Sequence, residues 1–347
     1  MPSLAFHRSI LLVGALCTAA TALTAQVSYS PDARYREQKV WDLPKVQEKS
    51  VDIGLWAFII AKEYDPSVNV REGLATLDSM AAEVRRMLAG RQRDMDKFLA
   101  VRMFLFEPGR WNNNHPFTYD LDDPFGRNTP NKLLPTFLRT RKGNCISMPT
   151  LMLVLMERVD PGMRFYGVLA PGHFLCRYHD RQTMDAFNVE PTNGGHPARN
   201  EWVMQELNIS QTAVDKGAYL RDLTKKEVLA VLLQPVAVKY RQAGDHRTEL
   251  RYVELMNAIA PNLISSLMWR TTAQLAIYDA YEERRQAAET GTGKPLTTRE
   301  RREQQSLYRS IMKTAKRIKA MGWEPETDEQ RARYLQRIET ERQRSNP

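Results

Sequence analysis

The stretch RKGNCISMP, Arg141–Pro149, runs directly into the apolar segment TLMLVLME at residues 150–157. At helical spacing Met148, Met152 and Met156 share one face, and Leu151, Leu153, Val154 and Leu155 fill most of the others. A helix apolar nearly all round is a central, buried one, so the methionine stripe reads as core packing rather than a cofactor box. Pro149 lacks an amide hydrogen and suits only a first helical turn. The helix therefore starts between Asn144 and Ser147, either of which can cap it. Cys145 then stands at or just ahead of a helix tip, where unpaired amides and the dipole favour a thiolate.

A thiolate enzyme also needs a base and a group that orients the base. After Asp160-Pro161-Gly162 the periodicity changes to the short aromatic and β-branched segments RFYGVLA, HFLCRY and MDAFNVE, which read as an antiparallel strand set. In the second of these His173, Leu175 and Arg177 share one face, while Phe174, Cys176 and Tyr178 share the other. Cys176 should thus point away from whatever His173 touches, which disfavours a disulfide between Cys145 and Cys176. In the third, Asn188 and Glu190 share a face, and either could receive the His173 ring N–H. A four-residue hairpin loop at His179–Gln182 sets Asn188 opposite His173; a loop two residues longer sets Glu190 there. The blander alternatives are a buried structural Cys145, and a Glu190 that pairs with Arg177. His173 and His179 lack a Cys, Asp or Glu to complete a metal set, and no cofactor motif is found. His115, His196 and His246 fall in turn-rich stretches and read as solvated.

Ahead of the cysteine, Val70 to Leu105 is helical in pattern, with Leu74, Leu77, Ala81, Val84 and Leu88 recurring before Phe98, Val101 and Phe104. The irregular EPGRWNNNHPFTYDLDDPFGRNTPN follows. Beyond Trp202 the pattern is helical to the end. Tyr240, Gly244-Asp245 and Pro261-Asn262 fall as in one tetratricopeptide unit, although Glu249 stands where a small residue is usual. ETGTGKPLTT reads as a linker before charged terminal helices.

The 347 residues, 42% hydrophobic and 26% charged, are enough for about two domains of an ordinary globular protein. The net charge of +9 comes largely from the last fifty residues, where acids are interspersed. With no nucleic-acid motif present, this reads as a solvated face with at most peripheral contact with an anionic envelope. Residues 1–22 read as a signal peptide: an uncharged apolar run follows Arg8, and Ala20-Thr21-Ala22 offers a small-x-small cleavage site. Cleavage after Thr24 or Ala25 and an uncleaved anchor are the alternatives. The expected location is periplasmic or extracellular. Export leaves Cys145 and Cys176, too few for a disulfide scaffold.

GNC before an apolar helix, PGHF on one strand and EPTNGG on the next together resemble the transglutaminase-like cysteine-enzyme superfamily. The likeness is to a bacterial branch with a tetratricopeptide-like tail, and covers roughly Val70 to Gly195. It implies an α+β fold, a transglutaminase/papain-like core with its central helix packed on an antiparallel sheet, followed by an α-helical tail. The corresponding divisions are 30–210 for the domain, 220–285 for the tetratricopeptide-like region and 286–347 for the linker and charged helices. It further implies Cys145 as nucleophile, His173 as general base and then acid, and Glu190 as orienter, with Glu in place of the usual Asp. The activity implied is acyl transfer or hydrolysis at an amide or peptide bond of a peptide or protein substrate. Trp111, Asn113 and Tyr119 are the candidate oxyanion donors beside the Cys145 amide. The alternative is a catalytically silent scaffold that binds a protein partner through its helical tail.

Overall fold

The structure, a computed structural model, describes residues 38–325 and isolated positions between 327 and 343; the expected leader at 1–22 lies outside the described residues. Helices α1 (Ile53–Tyr64), α2 (Val70–Leu88), α3 (Asp94–Phe106) and α4 (Leu134–Thr140) come first. The side chains of Asp52 and Asn69 cap α1 and α2 by accepting from Leu55 N and Glu72 N. The helical pattern over Val70–Leu105 is broken in the middle. Ala89 and Gly90 take φ of 47° and 85°, a left-handed exit that Gly90 tolerates freely, and a new helix starts at Asp94.

The apolar segment forms α5 (Ser147–Val159), buried continuously from Ser147 to Met156. It is wrapped by α1 to α4 and laid on a four-stranded antiparallel sheet ordered β3 (Arg164–Ala170), β4 (His173–His179), β5 (Ala186–Glu190), β6 (His196–Ala198). A short parallel ribbon, β1 (Thr118–Tyr119) beside β2 (Lys142–Gly143), was not foreseen from the sequence. Two-residue strands carry no periodicity, so no pattern announces them.

The β4–β5 register differs from both alternatives weighed above. His179 pairs with Ala186 and Cys176 with Val189, which makes the loop Asp180–Asp185. Asp180 fixes that loop: its carboxylate accepts from Gln182 N and Thr183 N, and its main chain bonds Asp185 and Met184. The ladder therefore continues through His179 instead of opening there.

The chain beyond Trp202 is not helical throughout. After α6 (Asn200–Glu206) and α7 (Gln211–Asp215), residues 216–224 run irregularly along the outer edge of β3. Leu220 N donates to Leu169 O and Leu223 N to Gly167 O, at 3.0 and 2.9 Å. Thr224 and Glu227 then form a capping box that opens α8 (Lys225–Leu232). Next come α9 (Gln234–Gln242), α10 (His246–Ile259), α11 (Ile264–Glu289) and α12 (Thr298–Ala320).

In the α9–α10 hairpin Tyr240 stacks on Tyr252 with ring centroids 5.4 Å apart, and Asp245 caps α10 through Thr248 N. Glu249 is fully buried there, held by Arg241 Nε at 2.7 Å and His246 Nδ1 at 2.9 Å. His246 is thus a partner to a buried carboxylate rather than a solvated ring. One continuous core joins α5, the sheet and α8 to α10. A smaller cluster of Ile277, Tyr281, Leu296 and Leu307 joins α11 to α12, and so draws Leu296 of the expected linker inside.

Candidate active site

Asn144 and Ser147 set the tip of α5 by bonding each other: Asn144 Oδ1 accepts from Ile146 N and Ser147 N, and Ser147 Oγ accepts from Asn144 N. Gly143 just before them is pressed against Phe137; a Cβ there would lie 2.5 Å from the ring and 2.8 Å from Ser147 Oγ. Cys145 projects from this turn, half-buried, with a free thiol. Its amide N–H meets no acceptor among the described residues, since it lies ahead of the helix ladder.

His173, the first residue of β4, stands close enough to the Cys145 side chain for the two to interact electrostatically. Its Nε2 lies 2.6 Å from Glu190 Oε2, so Nδ1 is the ring nitrogen that Glu190 does not engage. The observed register sets Glu190 beside Leu175, one diagonal step from His173. Diagonal neighbours stand farther apart than direct ones, a gap the long glutamate side chain spans. The other carboxylate oxygen accepts from Thr192 N at 3.0 Å and Thr192 Oγ1 at 2.6 Å. Thr192 was missed in the sequence, yet Glu-Pro-Thr is a legible signal: an acid ahead of Pro at the start of a 3₁₀ turn caps that turn.

Charge decides the protonation of this set. Burial would lower the His173 pKa, but the Glu190 carboxylate and the Cys145 contact outweigh it and push the value up to about 10. For Glu190 burial acts upward, and the imidazolium with the Thr192 bonds hold it below the usual range. At neutral pH the ring is an imidazolium between a carboxylate and a sulfur.

The other candidates lie elsewhere. Asn188 accepts from Arg177 Nε at 2.9 Å and donates to Asn200 Oδ1 at 2.8 Å, so it serves the opposite end of the strand pair. Arg177 engages Asn188, Leu220 and Asp222 rather than Glu190. The Trp111 indole donates to Met103 O and Glu107 O, and the Tyr119 hydroxyl to Pro124 O, which commits both groups. Asn113 stands exposed at φ 57°. Cys176 is fully buried, its thiol 3.7 Å from Pro149 O. It thus faces the same helix that carries Cys145, contrary to the strand-face expectation. Burial raises its pKa and keeps it a protonated thiol. His179 lies 2.9 Å from Asp222 and edge-on to Tyr166.

Residues 71–234 match the family model described as the transglutaminase-like superfamily. The chain carries a transglutaminase-like domain. No curated protein and no solved structure matches it. The matched span holds Cys145, His173 and Glu190, and it ends at the first residue of α9, so α8 belongs to the transglutaminase-like domain. The α-helical tail follows from there.

Proposed function

We propose that the protein is a cysteine enzyme that transfers an acyl group from an amide or peptide bond to water or an amine, through Cys145, His173 and Glu190. The observation that carries this reading is the position of His173, within interaction range of the Cys145 side chain ahead of the buried helix and bonded to Glu190 at 2.6 Å. Cys145 sulfur attacks the carbonyl carbon as a thiolate paired with the imidazolium. The tetrahedral oxyanion is met by the uncommitted Cys145 N–H. His173 gives its proton to the departing nitrogen as the C–N bond breaks, leaving a thioester. The neutral ring then takes a proton from the incoming water or amine, whose attack releases the acid or new amide and restores the thiolate. Glu190, held by Thr192, fixes the ring orientation throughout. The leader read at residues 1–22 supports action outside the cytoplasm, and Edman sequencing of the mature chain checks it.

Iodoacetamide tests the thiol directly. Alkylation of Cys145 near neutral pH should be fast and should slow by about tenfold or more in His173→Ala, because an unpaired thiol is only a few per cent ionised there. An unreactive Cys145, or one indifferent to His173, overturns the reading.

A further inference from the structure

An open pocket of about 350 Å³ adjoins the parallel ribbon and is lined by Asn113, His115, Thr118, Arg139, Arg141 and Lys142 among others. Its lining holds three cationic side chains and no carboxylate. Arg141 is committed: it bonds the carbonyls of Asn112 and His115 and lies over the Phe117 ring. Lys142 pairs with Asp122 at 3.1 Å, but both side chains are more than half exposed, so this pair is weak and readily exchanged. The Arg139 guanidinium is exposed and has no partner among the described residues. The walls are backbone of an unusual kind. Asn113 and Arg141 both take positive φ, at 57° and 55°, and such non-glycine conformations cluster at ligand clamps.

The pocket is also tied to the thiol. Its residues Thr118 and Lys142 are partners in the ribbon, and Tyr119 and Gly143 form the next pair. Cys145 follows Lys142 by three residues, so their Cα atoms are at most about 11 Å apart. The ribbon's first strand lies against the turn Pro191–Asn193 that follows Glu190. An extended peptide rises about 3.3 Å per residue, so a chain reacting at Cys145 reaches the pocket with its second or third residue.

We infer that this pocket is a specificity subsite that takes the carboxylate of an acidic peptide, two to three residues from the reacting carbonyl. The inference rests on the proposed role of Cys145. Arg139 supplies the planar fork that fits a carboxylate, and Lys142 supplies the surrounding positive field.

The test uses two chloroacetyl-Gly-Gly-Xaa amides on the full chain, with Xaa as Glu or Gln, at low ionic strength. The Glu probe should alkylate Cys145 about fivefold or more faster than its Gln twin. That ratio should fall toward one in the Arg139→Gln, Lys142→Gln double variant and in high salt. Equal rates in the native chain, with iodoacetamide still reacting, overturn the subsite and leave the proposed chemistry standing. A Cys145 inert to iodoacetamide as well overturns the chemistry. In that case N-acetyl-Gly-Gly-Glu amide and its Gln twin, titrated against the Cys145→Ala chain by NMR, decide the pocket alone. A Glu preference lost in Arg139→Gln sustains it as an anion site, and no preference overturns it.

Discussion

At His173 two opposed effects meet, and a single substitution separates them. Burial favours the neutral ring, while Glu190 and the Cys145 contact favour the charged one and prevail. In Glu190→Gln the carboxylate charge is gone and burial remains. The ring pKa should then drop from about 10 toward or past its ordinary value of about 6.5, as read by NMR titration of the His173 ring protons. The sign for stability follows by linkage. A raised His173 contributes stability fully below pH 6.5 and loses it as pH climbs through about 10. A lowered Glu190 contributes above 4.5 and loses it as pH falls through its depressed value. Denaturant midpoints should therefore show the pair at full strength between pH 4.5 and 6.5, and this window should vanish in Glu190→Gln. Cys145 and His173 were both legible in the sequence, because a proline in the first helical turn and a strand beginning at His173 fix where each stands. The choice between Asn188 and Glu190 was not legible, because it depends on how Asp180 folds a loop, and alternation along a strand says nothing of that.

The joint between β2 and α5 decides where the thiol lies. Gly143 is needed there for its lack of a side chain, since Phe137, which is 1% exposed, occupies the place of a Cβ. Gly143→Ala must displace that ring or the helix tip. The expected cost is about 1–3 kcal/mol in chemical denaturation, with slower iodoacetamide labelling as the tip shifts. The opposite change at the far side of the joint, Phe137→Leu in the same chain, should restore part of both. The central helix was legible because every face of it is apolar. The ribbon that aims it was not, because two-residue strands are set by tertiary contacts such as Asp120 N to Gly143 O at 2.8 Å, and these have no local signature.

On the scale of the whole molecule, α8 is part of the domain's interior, and the tail helices α9 and α10 continue the same core. Val228, Leu229, Ala230 and Val231 of α8 are buried in the same core as α5. Lys225 adds bonds to Val51 O and Glu157. A chain ended before Lys225 should therefore fail to give a cooperative thermal transition by circular dichroism. One ended at 297 keeps the main core apart from Ile318 and should melt cooperatively at a lower temperature. The tetratricopeptide-like spacing made the α9–α10 hairpin readable, but not the ion pairs that admit Glu249, since pairing across helices is invisible to a one-dimensional pattern.

The segment 216–224 that lies along β3 has a consequence for how anything docks. At the opposite margin β6 is three residues long and contains Pro197, which has no N–H to offer. With one border covered and the other stunted, the sheet is a poor template for strand addition, whether by another copy or by a peptide. Under the proposed function, the four-stranded sheet would offer a substrate at Cys145 little backbone pairing, which leaves side-chain contacts to supply the selectivity.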